Sequence, residues 1–294
     1  MATFLSIKEM LEGAEKAALP LWQYIQTVSA DEVAISPERS WEMMAQRLEA
    51  MKLADASYCP ADRSLSGLVG GDAERMRLYA ESGRGICGRF ADDVLTAAIR
   101  MGECNACMHR IVAAPTAGAC GVLPAILLTY AKHFGTPDDE LIRALYISAG
   151  FGAVIAQRAS ISGAEAGCQA EIGSAAAMAA ASLVYLHGGS GQQMAEAMSM
   201  ALKNMMGLVC DPVAGLVEVP CVKRNAAGAM NALSAAEMAM AGICSRIPAD
   251  EVIDAMASVG ASMPAALRET GLGGVAASPT GIKFREEFFG ASLS

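Results

Sequence analysis

The sequence is short of aromatics, of histidine and of positive charge. Phe, Trp and Tyr together make up 5% of its 294 residues, and there are three His. Strands favour β-branched and aromatic residues, whereas Ala, Leu, Met, Glu and Arg favour helices. With 53% hydrophobic residues, much of it Ala, Met and Leu, the composition predicts an all-α protein. A net charge of −9 lacks the Lys and Arg excess that neutralises phosphates, which argues against nucleic acid as a partner. Mean hydropathy is high at +0.34, so membrane insertion has to be considered. No apolar run reaches the roughly 20 residues that a span requires. The best candidate, residues 172–186, stops at His187-Gly188-Gly189 and reads as a buried core helix. Met1 to Met10 has no basic region followed by a long apolar stretch, so no signal peptide is expected. Both absences point to the cytoplasm and to no membrane partner.

No repeat of 20–50 residues and no long polar linker divides the chain, and its length allows one large domain or two ordinary ones. Residues 1–60 read as two amphipathic helices, the second starting at Ser36-Pro37. Residues 61–88 read as Gly- and Ser-rich loops around one short helix. Helices are expected from about Arg89 to Met108, from Val122, from Asp138 to Ala156 with the two Asp as caps, and over Glu171–His187, Gln192–Leu208, Arg224–Ile243 and Asp250–Val259. Residues 113–121, 157–170 and 211–222 carry the Gly and Pro that interrupt them. Several of these helices are apolar nearly all round, which makes them central.

Nine cysteines are many, and in a reducing cytosol few are disulfides. Free Cys is often simply buried. Three stand out because they sit at helix boundaries: Cys168 and Cys221 just before helices and Cys210 just after one. The N–H groups and partial positive charge of a helix start lower a thiol pKa, so Cys168 and Cys221 are expected as thiolates suited to a soft metal. Separations of 42 and 11 residues match no compact ligand rule, and three inert buried cysteines account for the spacing at least as well. The loop Pro115-Thr116-Ala117-Gly118-Ala119-Cys120-Gly121 ahead of a helix has the composition of an anion site, built from successive N–H groups and the Thr116 hydroxyl. On its own it reads more simply as a tight helix–helix connection. Lys203-Asn204 and Lys223-Arg224-Asn225 are polar groups among apolar neighbours beside two of the cysteines; they read either as groups that offset the charge of a metal centre or grip a carboxylate, or as ordinary helix-end polar groups. Glu165 reads as a general base or as the salt-bridge partner of Arg158, and the structural role is favoured.

Several blocks together resemble the alpha chain of bacterial iron–sulfur L-serine dehydratases. They are Gly67 to Asp72 (GLVGGD), Ile111 to Pro124 (IVAAPTAGACGVLP), Glu165 to Ser174 (EAGCQAEIGS), Leu202 to Asn225 (LKNMMGLVCDPVAGLVEVPCVKRN) and Ser278 to Gly281 (SPTG). Their order and spacing fit the chain from about residue 60 onward. The resemblance implies a [4Fe–4S] cluster held by Cys168, Cys210 and Cys221, and β-elimination of water from L-serine to give pyruvate and ammonia. It implies a single helical catalytic domain over 1–294, with 1–60 as peripheral helices and 61–294 as the core. Thr116, Ala117, Gly118, Ala119, Lys203, Lys223 and Asn225 become the candidate substrate-binding residues, and Cys120 becomes packing.

In this family a smaller domain is either fused N-terminally or supplied as a separate beta chain. The roughly 150–220 residues of such a domain are not in this sequence, so a beta chain is the expected partner. No general base is evident, and the partner is a possible source. The family pattern has Ala and Gly where Cys107 and His109 stand, so Cys104, Cys107 and His109 are a departure and His109 is a poor candidate base. Gly290 to Ser294 contains no Cys to reach an open iron. An L-cysteine desulfidase with the same cluster, a non-enzymatic helical subunit and a pyridoxal-phosphate enzyme are the alternatives. The last ranks lowest, because neither Lys203 nor Lys223 has the setting of a Schiff-base lysine.

Overall fold

The computed structural model describes residues 4–290, so residues 291–294 of the Cys-free tail lie outside the described residues. Thirteen α-helices follow one another among them. They are α1 (Ile7–Ala17), α2 (Leu21–Glu32), α3 (Pro37–Ala56), α4 (Asp72–Glu81), α5 (Arg89–Ala106), α6 (Val122–Phe134), α7 (Asp138–Arg158), α8 (Gly163–Ala166), α9 (Ser174–Leu186), α10 (Gly191–Met205), α11 (Cys221–Met240), α12 (Ala249–Ser262) and α13 (Pro279–Phe289). The described residues form no strand, only one isolated bridge between Cys210 and Arg268. The all-α expectation is met.

α9 is the axis of the fold. From Ser174 to Val184 every residue is buried, and α6, α7, α10 and α11 pack around it. Its Ala side chains let the neighbouring backbones approach closely. At Gly152 of α7 an added Cβ would come 2.9 Å from Met178 Sδ, and at Gly228 of α11 one would come 2.8 Å from Ile172. One apolar cluster runs from Phe4 to Met256, with Ile147, Phe151 and Ile155 of α7 fully buried in it. Each such side chain contributes about 1.5–3 kcal/mol of burial.

Helix starts follow local chemistry. Ser36 caps α3 by accepting the Arg39 N–H, with Pro37 as the first helical residue. Ser190 and Gln193 form a reciprocal capping box on α10. The first sixty residues hold three helices rather than two, because Ala18 turns left-handed (φ 51°) and Pro20 opens α2. α7 starts where expected, but Asp138 and Asp139 lie in its first turn, where they favour the helix dipole, and make no side-chain cap. α11 begins at Cys221, three residues earlier than expected. Residues 169–173, expected as ordinary helix from 171, form a π turn that runs into α9. No helix of the described residues is long and apolar enough to cross a membrane.

Candidate active site

Three chain segments converge at the start of α9. Gly167 takes a left-handed φ of 76°, and Cys168 leads directly into the π turn. Wide turns of this kind recur at functional sites. The fully buried Gln169 locks the corner: its amide donates to Met256 O, and its Oε1 accepts the Gly207 N–H. Its own N–H bonds Leu208 O, which draws the extended 208–211 segment alongside. Cys210 lies on that segment, bonded on its other edge to Leu267 O and the Glu269 N–H. Cys221 is the first residue of α11, and Asn225, one turn on, donates to its carbonyl.

All three thiols are pushed up, first by burial: Cys168 to about 11, Cys221 to about 12, and Cys210 upward as well. Cys210 is raised further by charge on Cys168 and Cys221, and Cys221 by charge on Cys168, which places the three in one electrostatic neighbourhood. The expected thiolates at Cys168 and Cys221 are therefore thiols in the metal-free protein. The helix start does act, since the Ile172 N–H stabilises the Cys168 sulfur, but loss of water outweighs it. Arg224 works in the same stabilising direction on Cys168 and Cys221. Its guanidinium donates to Val209 O at 2.8 Å and pairs with buried Asp211 at 2.8 Å, so it also grips the residues on either side of Cys210. Asp211 in turn accepts the Val275 N–H, tying in the tail.

The loop at 115–121 closes the site. Thr116 Oγ donates to Glu171 Oε1 at 2.7 Å, and the Cys210 thiol approaches Glu171 Oε2 at 3.8 Å. Burial raises the Glu171 pKa, and the Thr116 hydroxyl partly opposes this. Asn225, 1% exposed, accepts the Gly121 N–H and donates to Gly118 O, both at 2.8 Å, as well as to Cys221 O at 3.0 Å. It joins the loop to a cysteine. The N–H groups of Ala119, Cys120 and Gly121 already have protein acceptors. Ala117 and Gly118 begin the turn, and Gly118 faces Glu171.

The candidate residues thus divide. Cys168, Cys210, Cys221, Thr116, Ala117, Gly118, Ala119 and Asn225 come together. Lys203 does not join them: its amine is bound to Ser245 O at 2.6 Å. Lys223 is exposed and pairs with Asp72 at 2.9 Å. Cys120 is fully buried against Met101 O, as packing requires. Arg158 pairs with Asp254 and Asp250, whereas Glu165 is held by the Ser160 hydroxyl. The expected Arg158–Glu165 bridge is therefore absent; α12 brings the acids to Arg158 instead. His109 lies between Asp62 and Ser57, beside Cys104 and Cys107 and apart from the site. A cavity of about 660 Å³ lies between α1 and the starts of α10 and α12 and contains none of the three cysteines.

Sequence reasoning passed over Glu171 and named Arg224 only as one of a group that could offset cluster charge or grip a carboxylate. Each stands three residues after a candidate ligand, Cys168 and Cys221 respectively, a spacing that puts two side chains on one helix face. Among the described residues no three His, Cys, Asp or Glu side chains converge on a single ion. A cubane is a different test, because it spreads its thiolates over separate irons. Two buried sulfurs and a half-buried one on three segments, beside one guanidinium and with no competing imidazole, are a donor set that fits such a cluster.

Comparison with known proteins bears on the same residues. The family model described as serine dehydratase alpha chain matches residues 7–276. A protein of Bacillus subtilis named probable L-serine dehydratase, alpha chain, is 46% identical over 99% of this chain and 97% of its own length. The L-serine dehydratase alpha chain of Peptoniphilus asaccharolyticus is 48% identical over 84% of this chain and 86% of its own. L-serine dehydratase 1 of Escherichia coli is 44% identical over 61% of this chain but only 40% of its own length. With a match that runs nearly end to end, the chain belongs to the serine dehydratase alpha chain family.

Proposed function

We propose that this chain is the catalytic alpha chain of an L-serine dehydratase that removes water from L-serine to yield pyruvate and ammonia. The observation that carries the reading is the meeting of Cys168, Cys210 and Cys221 beside the Thr116–Glu171 pair. Cys168, Cys210 and Cys221 would hold a [4Fe–4S] cluster. When bound, such a cluster supplies an iron without a protein thiolate, a Lewis acid that can stabilise a departing hydroxide.

The chain's own residues account for the rest. Arg224 offsets thiolate charge and fixes both neighbours of Cys210. The N–H groups of Ala117 and Gly118 offer donors for the substrate carboxylate, with the Thr116 hydroxyl bound to Glu171 beside them, Ala119 completing the turn and Asn225 holding it against Cys221. Lys223 stands outside this group on the exposed start of α11, where it can only act at the rim. Loss of water from serine leaves aminoacrylate, which tautomerises and hydrolyses without redox change. Relatives named as alpha chains, and relatives roughly one and a half times as long, support a separate beta chain as partner, and this chain offers no His at the site to remove the Cα proton. Free cysteines throughout suit a reducing cytoplasm.

The test is pyruvate release by the anaerobically reconstituted alpha chain with its beta chain, given L-serine or L-cysteine. Preference for L-serine is expected. Release from L-cysteine alone makes the enzyme a desulfidase, and release from neither defeats the reading.

A further inference from the structure

Glu171 is a carboxylate in the middle of the site with one side left open. Its Oε1 accepts the Thr116 hydroxyl, and its Oε2 faces the Cys210 thiol. A carboxylate offers about four acceptor positions, and the hydroxyl and the thiol take two. The other positions have no protein donor among the described residues, and the Glu269 carboxylate adds charge of the same sign. A half-buried acceptor in that position calls for a cationic donor. Arg224 is already committed to Asp211 and Val209 O.

Two flanks of the carboxylate are lined by backbone with no side chain. Glycine flanks the carboxylate on both sides. A Cβ on Gly118 would lie 3.3 Å from Oε1, and one on Gly163 would lie 2.6 Å from Oε2 and 3.0 Å from Cys210 Sγ. A side chain at either position would enter the space beside the carboxylate. An α-amino acid whose carboxylate is held by the 116–118 turn brings its ammonium, with three N–H donors, to this part of the site.

We infer that Glu171 receives the substrate's α-ammonium between the 116–118 turn and Cys210, and that it is the residue separating α-amino acids from 2-hydroxy acids. The assignment rests on the proposed elimination from L-serine. L-Glycerate is the discriminating probe, because it keeps the carboxylate and the β-hydroxyl and replaces the ammonium with a hydroxyl.

The experiment uses the reconstituted alpha–beta enzyme and measures KM and kcat for L-serine and the inhibition constant of L-glycerate. In E171Q, visible cluster absorption is retained and KM for L-serine rises by about thirtyfold or more, the cost of losing one partner of a buried charge pair. L-Glycerate inhibition stays within about twofold, because it makes no charge-assisted bond to Glu171. E171D, which keeps the charge, restores part of the preference for serine. T116V weakens serine and glycerate together. The assignment is overturned if E171Q weakens both ligands equally, if kcat alone falls, or if E171D discriminates no better than E171Q. Should the wild-type enzyme release no pyruvate from L-serine, the proposed function fails and takes this assignment with it. Turnover by wild type with unchanged discrimination in E171Q defeats the Glu171 assignment alone.

Discussion

Replacing Arg224 with Met keeps most of the side-chain volume and removes the guanidinium. The structure sets the size of the effect. Asp211 is 2% exposed and would lose its ion pair, and the Val209 carbonyl would lose a charged donor. Breaking a buried pair by removing one partner costs about 3–5 kcal/mol. Asp211 keeps the Val275 N–H, which points to the lower end, about 3 kcal/mol. For a chain of this size that lowers Tm by roughly 5–10 °C. The assay is thermal unfolding of the metal-free protein for wild type, R224M, D211N and the double variant. The double variant is expected to recover about 2 kcal/mol relative to the sum of the single changes, because no unpaired charge is left. A Tm drop under 2 °C in R224M, or strictly additive effects, would show that the pair does not hold the Cys210 segment.

Other outcomes follow from the same geometry. N225A leaves the Gly121 N–H and Gly118 O without their partner and is expected to cost about 2–3 kcal/mol in urea unfolding. N225D, which keeps the acceptor and loses both donated bonds, should fall between N225A and wild type, and equal losses would contradict the three-way link. The buried thiols give the metal-free protein a pH dependence. Cys168 and Cys221 hold their protons to about 11 and 12, whereas an unfolded thiol titrates near 8.5. Between those values the native state binds more protons than the unfolded one, so stability is full below about pH 8.5 and falls as pH rises toward 11. C168A should flatten the decline in urea midpoint between pH 8 and pH 10.5, and an unchanged slope would mean that Cys168 is not the group titrating.

The helical class, the central helix and most helix limits were legible in composition, periodicity and caps. α9 declared itself because it is Ala-rich and apolar on every face. The division of the first sixty residues was less visible, since Ala18 adopts its left-handed turn without a glycine to mark it and only Pro20 signals the break. The π turn at 169–173 has no composition of its own; it follows from Gln169 reaching Met256 and Gly207 far along the chain. The three cysteines and the 116–119 loop were legible through their motif blocks. The protonation state was not, because helix-start position argues for thiolates while burial, which only the fold reveals, argues more strongly for thiols. Lys203 looked embedded among apolar residues, but its bond to Ser245 O depends on the turn after α11 folding back over α10. Glu171 lay within a recognised block and became a functional candidate only once its contacts with Thr116 and Cys210 were seen, whereas the charge-offsetting reading of Arg224 was legible and the fold added its grip on Val209 and Asp211.

The central claim is that Cys168, Cys210 and Cys221 together hold one iron–sulfur cluster. It is tested most directly by counting iron and sulfide per chain, with visible absorption, after anaerobic reconstitution of wild type and of C168A, C210A and C221A, with C120A as the packing control. The account predicts four irons and four sulfides per chain in wild type and in C120A, as a single cubane requires. It predicts loss of the cluster in each of the other three variants. A full cluster in any one of those three, or none in the wild type under strict anaerobiosis with its beta chain present, would contradict it.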